Sequence, residues 1–117
     1  MKKNIIIVVV SFMVVLLSSQ SVFAHPPVRI DLSYDAATKI VTAVIVHPVR
    51  NPDQHYINKI DVSINDKEVI GQQISFQETP DTQTVSYRLP DIKAGDIIGV
   101  EGYCNINGKL EKTIEAK

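Results

Sequence analysis

The side chains in this 117-residue chain best suited to chemistry are three histidines and one cysteine: His25, His47, His55 and Cys104. Neutral imidazole and thiolate are the usual side-chain ligands of transition metals. A thiolate bound to a metal is held deprotonated and shielded from oxidation, which would account for a lone cysteine. Each residue also has an ordinary explanation when taken singly. His25 can be an accident of a processing site, His47 before Pro48 can simply end a strand, His55 can pack on its loop, and Cys104 can be a small buried hydrophobe. What separates the two readings is whether the fold brings the four together.

Composition narrows the field. Twelve Lys and Arg stand against 13 Asp and Glu, with no basic cluster, so the chain lacks the concentrated positive face that nucleic-acid binding needs. One cysteine excludes an internal disulfide, and the length allows one domain. Residues 1–24 have the three parts of a secretory signal. Lys2 and Lys3 form a charged start, Ile5 to Leu17 is apolar apart from Ser11, and Val22-Phe23-Ala24 places small residues at the positions a signal peptidase reads. The apolar run falls short of the roughly 20 residues that span a bilayer as a helix. The expected mature domain is therefore 25–117, periplasmic or secreted, with no membrane span. His25 is its first residue. Removing the leader leaves 93 residues and shifts the net charge from −1 to −3.

The elements that must position the four residues read as short strands. Val28, Ile30, Leu32 and Tyr34 alternate with polar residues at the period of a half-buried strand. Ile40 to Val46 is β-branched almost throughout and too apolar for an edge, so a central strand is expected. A loop with two prolines carries the chain from His47 to His55. Further strands are expected over Tyr56 to Ile64, Glu68 to Phe76, Gln83 to Leu89, Ile97 to Cys104 and Leu110 to Glu115. In the strand Glu68 to Phe76, fourth in the chain, Ile70, Ile74 and Phe76 share one face. Asn65-Asp66 and Asn105-Ile106-Asn107-Gly108 supply the reversals. Seven short strands in about 90 residues predict an all-β, immunoglobulin-like β-sandwich, with a small closed barrel as the runner-up. If each strand reverses direction, the start of the first strand, the loop between the second and third, and the loop between the sixth and seventh share one end of the sandwich. Those places hold every histidine and the only cysteine.

At these residues the chain resembles a known family. His47-Pro48, His55-Tyr56-Ile57 and Tyr103-Cys104-Asn105 with Gly108 look like the iron-binding domain of desulfoferrodoxin and neelaredoxin, the superoxide reductases. His25-Pro26-Pro27-Val28 is similar to that family's first histidine segment. The resemblance spans the mature chain and implies the same immunoglobulin-like fold. It further implies a mononuclear ferrous ion held by His25, His47 and His55 with Cys104 as axial thiolate, and one position open to superoxide. No rubredoxin-like Cys pairs are present, so the electron donor is external.

Departures from the family pattern accompany the likeness. Asn107 stands where the family has its fourth histidine, the loop from His47 to His55 is two residues longer, and Lys59 replaces a usual tryptophan. Phe23-Ala24 occupy the place of the Glu-Lys pair that precedes the first histidine, so the lysine that attracts superoxide is missing there; Arg50 and Lys59 are the available substitutes for its field. Cleavage before His25 would also create a free amine beside an imidazole, a histidine-brace arrangement that suits copper, which outcompetes ferrous iron at most nitrogen sites. Three readings remain open from the sequence: an exported superoxide reductase-like iron enzyme, a non-catalytic copper-binding or partner-binding sandwich, and a structural domain without metal.

Overall fold

The computed structural model describes residues 24–117. The expected leader lies almost wholly outside the described residues, and among those described no helix is long and apolar enough to cross a membrane.

Seven strands form two antiparallel sheets. They are β1 (Arg29–Asp35), β2 (Ile40–Val46), β3 (Ile57–Ile64), β4 (Lys67–Gln73), β5 (Thr82–Arg88), β6 (Ile97–Cys104) and β7 (Lys109–Glu115). One sheet has the order β1-β2-β5 and the other β4-β3-β6-β7. The chain changes sheet between β2 and β3, between β4 and β5, and between β5 and β6, which is the sandwich expected from the spacing of the strands. As its composition predicts, β2 is central, flanked by β1 and β5. Alternate residues of the facing strands fill the space between the sheets: Val41, Ala43 and Ile45 from β2, Ile57, Ile60 and Val62 from β3, and Ile98 and Val100 from β6 are all essentially inaccessible. Burial of a side chain of this size is worth roughly 1.5–3 kcal/mol, so these three strands hold the frame on which the loops are built. Gly102 on β6 lies against Ile45, whose Cδ1 would stand 3.1 Å from any Cβ at that position.

The turns follow local chemistry. Asn65 and Asp66 both take positive φ, 51° and 66°, the conformation of a two-residue turn whose twist matches its strands. Two expectations need correction. The fourth strand stops at Gln73, short of Phe76, and Phe76 is 60% exposed where a core position was expected. The Ile74 N–H still bonds to the Asn58 carbonyl at 2.9 Å, but the chain then turns inward and delivers Gln77, not Phe76, to the interior. Val28 is also solvent-facing at 60% exposure, because β1 begins one residue later.

The register fixes which loops share an end. Arg29 and Thr82 both pair with Val46, and Ile57 pairs with Cys104. The start of β1, the β2–β3 loop, the β4–β5 loop and the β6–β7 loop therefore lie together.

Candidate metal centre

Three of the four expected residues form a tight cluster. The nearest ligand atoms of His25, His47 and His55 all lie within 4.8 Å of one another. Their ring centroids are 5.0, 5.4 and 4.7 Å apart, each pair edge to face. Cys104 touches this cluster through one member, with Sγ 3.2 Å from His55 Nε2.

Each ligand is held by its own segment. His47 follows β2 directly and is fully buried. Its N–H donates to the Asp81 carbonyl, its Nδ1 lies 2.8 Å from Gln77 Oε1 and its Nε2 3.1 Å from the His25 carbonyl oxygen. His25 precedes β1, with Nδ1 and Nε2 each 2.8 Å from a carbonyl oxygen, those of Pro26 and Pro48. Pro26 in turn rests on the β6–β7 turn at Gly108. That residue has φ of +82°, and a Cβ there would fall 2.7 Å from Pro26 Cβ, so glycine is required both for its conformation and for this approach.

His55 ends the proline-containing loop. Asn51 organises that loop by accepting the Asp53 N–H on its side chain and the Gln54 and His55 N–H groups on its carbonyl. A register shift in the β3–β6 pairing between Ile57 and Lys59 lies just beyond His55, a bulge of the kind that re-aims side chains beside sites. Burial, the largest cause, and the nearby His47 and His25 rings push the His55 imidazole pKa below its usual value, against a smaller upward effect of the His25 main chain. Three imidazoles this close disfavour a proton on His55, which favours the neutral form a metal requires.

Cys104 closes β6 and is 8% exposed. The main-chain N–H groups of Ile106 and Asn107 point at its sulfur at 3.4 and 3.5 Å, an arrangement that stabilises negative charge on sulfur. Asn107 thus meets Cys104 through its backbone, and as a whole it is exposed. Lys59 lies 3.4 Å from Asp61 and over the Tyr103 ring at 5.3 Å, on the outer face of its sheet.

Two residues that carry the site have side-chain roles that the sequence did not assign. Asn105 staples the His55 loop to the Cys104 turn: its Oδ1 accepts the Tyr56 N–H, its Nδ2 donates to the Gln54 carbonyl and its own N–H donates to the Tyr56 carbonyl, all at 2.9 Å. Gln77 is the second, 2% exposed and placed between the loops. The polar run Glu78-Thr79-Pro80-Asp81 was the available signal that the strand ended early. The Gln77 contact itself joins residues 30 apart in sequence.

The three imidazoles could hold a metal ion, and Cys104 stands outside the group whose ligand atoms all lie within 4.8 Å of one another. Two donors at about 2.1 Å (nitrogen) and 2.3 Å (sulfur) from one ion stand roughly 3.1–3.6 Å apart when adjacent, and His55 and Cys104 already meet that condition. Imidazole nitrogens on one ion stand about 2.9–3.4 Å apart when adjacent and about 4.1 Å when opposite, so the histidines, within 4.8 Å of one another, must draw together by up to about 2 Å. No family model matches the chain, and no curated protein matches it.

Proposed function

We propose that the protein is an exported mononuclear iron protein that reduces superoxide to peroxide, with His25, His47, His55 and Cys104 as the metal ligands. The observation that carries this reading is the convergence of all three histidines from separate segments at one end of the sandwich, with the only cysteine 3.2 Å from one of them. The likeness of the His-Pro, His-Tyr-Ile and Tyr-Cys-Asn segments to superoxide reductases supports the choice of metal and reaction. When bound, ferrous iron would supply one electron to superoxide, which with two protons from solvent gives hydrogen peroxide, and an external donor would return the electron.

The chain's own residues have defined parts in this. Cys104 would supply an anionic donor, its charge stabilised by the Ile106 and Asn107 N–H groups. The chain has three histidines in all, and the exposed Asn107 would leave the place of the family's fourth histidine to solvent or substrate. A second reading, copper bound by a histidine brace, is favoured by one observation. The main chain of His25 itself enters the cluster, its carbonyl 3.1 Å from His47 Nε2, so processing before His25 would set a free amine close to the imidazoles.

The test is catalytic. Protein with its natural N-terminus, loaded with ferrous iron, should consume superoxide without evolving oxygen and should oxidise one equivalent of iron per superoxide when no donor is supplied. Oxygen evolution, or no acceleration over free iron, rejects the assignment. One tight equivalent of copper in place of iron selects the brace.

A further inference from the structure

We infer that Gln77 is a positioning residue that selects Nε2 of His47 as the metal-binding nitrogen; this rests on the metal-site reading above. The amide of Gln77 can lie only one way round. Its Nε2 donates to the His47 carbonyl at 2.8 Å and to the Thr79 carbonyl at 2.9 Å, while its Oε1 accepts the Ile57 N–H at 3.3 Å. Turning the amide over would set its oxygen against two carbonyl oxygens and its NH2 against an N–H. Gln77 is 2% exposed and His47 fully buried, so these atoms are shielded from bulk solvent, and each such mismatch would cost the desolvation of a buried polar group.

The orientation of the amide dictates that of the ring. Oε1 is an acceptor 2.8 Å from His47 Nδ1, so Nδ1 carries a proton and donates it. A neutral imidazole has one N–H, and the two ring nitrogens face two acceptors, Gln77 Oε1 at 2.8 Å and the His25 carbonyl at 3.1 Å; the shorter, fully buried contact takes the proton, which leaves the Nε2 lone pair against the His25 carbonyl, a contact that an ion on Nε2 would replace. Support of one ring nitrogen by a hydrogen bond is how proteins fix the tautomer and orientation of ligand histidines. Here a neutral amide does so instead of a carboxylate. The same side chain reaches the end of β2 through His47, the start of β3 through Ile57 and its own loop through Thr79, and its N–H donates to the Pro52 carbonyl. It therefore couples the shape of the β4–β5 loop to a ligand at the end of β2.

The test uses the full mature protein, with Zn2+ as a diamagnetic probe. Nitrogen-15 spectra of the metal-free protein above pH 8 should show His47 protonated at Nδ1 and bare at Nε2. Gln77→Met, which keeps bulk but removes the acceptor, should weaken Zn2+ binding 10- to 100-fold, the usual loss on removing such support. Gln77→Glu keeps an acceptor for Nδ1 while losing both N–H donations, so it should melt earlier yet bind Zn2+ more tightly than Gln77→Met. A merely structural role predicts that the two variants lose affinity alike, and that outcome overturns the inference. So does a wild-type His47 carrying its proton on Nε2, a measurement that decides the matter even if the variants fail to fold. Wild-type protein that binds no Zn2+ overturns the metal-site reading itself, whereas equal binding by wild type and Gln77→Met overturns only the role of Gln77.

Discussion

Replacing Gly108 with alanine tests whether the β6–β7 turn holds His25 in place, and Gly95 supplies a control of the same backbone type. Both glycines have positive φ, +82° and +92°, but a Cβ at Gly95 meets nothing within 4 Å, whereas at Gly108 it falls 2.7 Å from Pro26 Cβ and 3.3 Å from Pro26 Cα. The left-handed conformation alone costs a non-glycine residue about 1–2 kcal/mol. For a domain of this size that lowers Tm by roughly 4–16 °C, and Gly95→Ala should show this and no change in metal affinity. Gly108→Ala adds a clash. Carbon atoms settle about 3.5–4.0 Å apart, so Pro26 must retreat by roughly 1 Å, adding about 1–3 kcal/mol if it cannot do so freely. His25 is the neighbouring residue, and ligand distances tolerate only about 0.2 Å. Metal affinity should therefore fall about tenfold or more, the scale on which disturbed ligand support acts. The assay is a chelator-competition titration with calorimetric Tm on both variants. Equal affinity in Gly108→Ala and wild type, or equal loss in the two variants, would refute the role assigned to Pro26 and the turn.

Asn105→Ala strips the partner from the Tyr56 N–H and the Gln54 carbonyl; stability should fall by about 1–3 kcal/mol, and amide exchange should quicken in the loop containing His55 before it does in the β1–β2 turn. The lowered His55 pKa sets a pH dependence for the metal-free protein: the unfolded chain binds the proton more readily, so the stability associated with a neutral His55 is present above about pH 6.5 and lost as pH falls below it. Melting curves from pH 8 to pH 5 should show this slope, reduced in His55→Gln. On the outer face of the β3-β6-β7 sheet, the neighbouring Glu101 carboxylate, with burial and the charge of Asp66, raises the Glu111 pKa above the usual carboxylate value. Glu111→Gln replaces a carboxylate that repels Glu101 with a neutral amide, so Tm should rise at pH 7 by a few degrees, and the gain should shrink as acid protonates Glu111.

The strands were legible because period-two alternation and turn residues are local signals. Ile30, Leu32 and Tyr34 announce β1 without reference to the rest of the chain, and Asn65-Asp66 announces the reversal from β3 to β4. Convergence of the site was legible for a related reason: once the strands alternate in direction, parity alone sends His25, His47, His55 and Cys104 to one end. The limit came where a local pattern competed with a distant contact. Ile74 and Phe76 continue the alternation of β4, yet the chain leaves the sheet so that Gln77 can satisfy the buried His47 ring and the Ile57 N–H. Nothing near Gln77 in sequence marks it as the partner of a histidine 30 residues earlier. Asn105 was similarly read for its turn propensity, whereas its side chain is spent on Tyr56 and Gln54, residues that only the folded chain brings within reach.

The most direct measurement of the central proposal is the metal content and visible spectrum of the protein purified with its natural N-terminus, alongside Cys104→Ser. One equivalent of iron, with a visible thiolate-to-iron band that appears on oxidation and is lost in Cys104→Ser, is the expected result. Protein that retains no transition metal tightly, or that gives the same spectrum with and without Cys104, would contradict it.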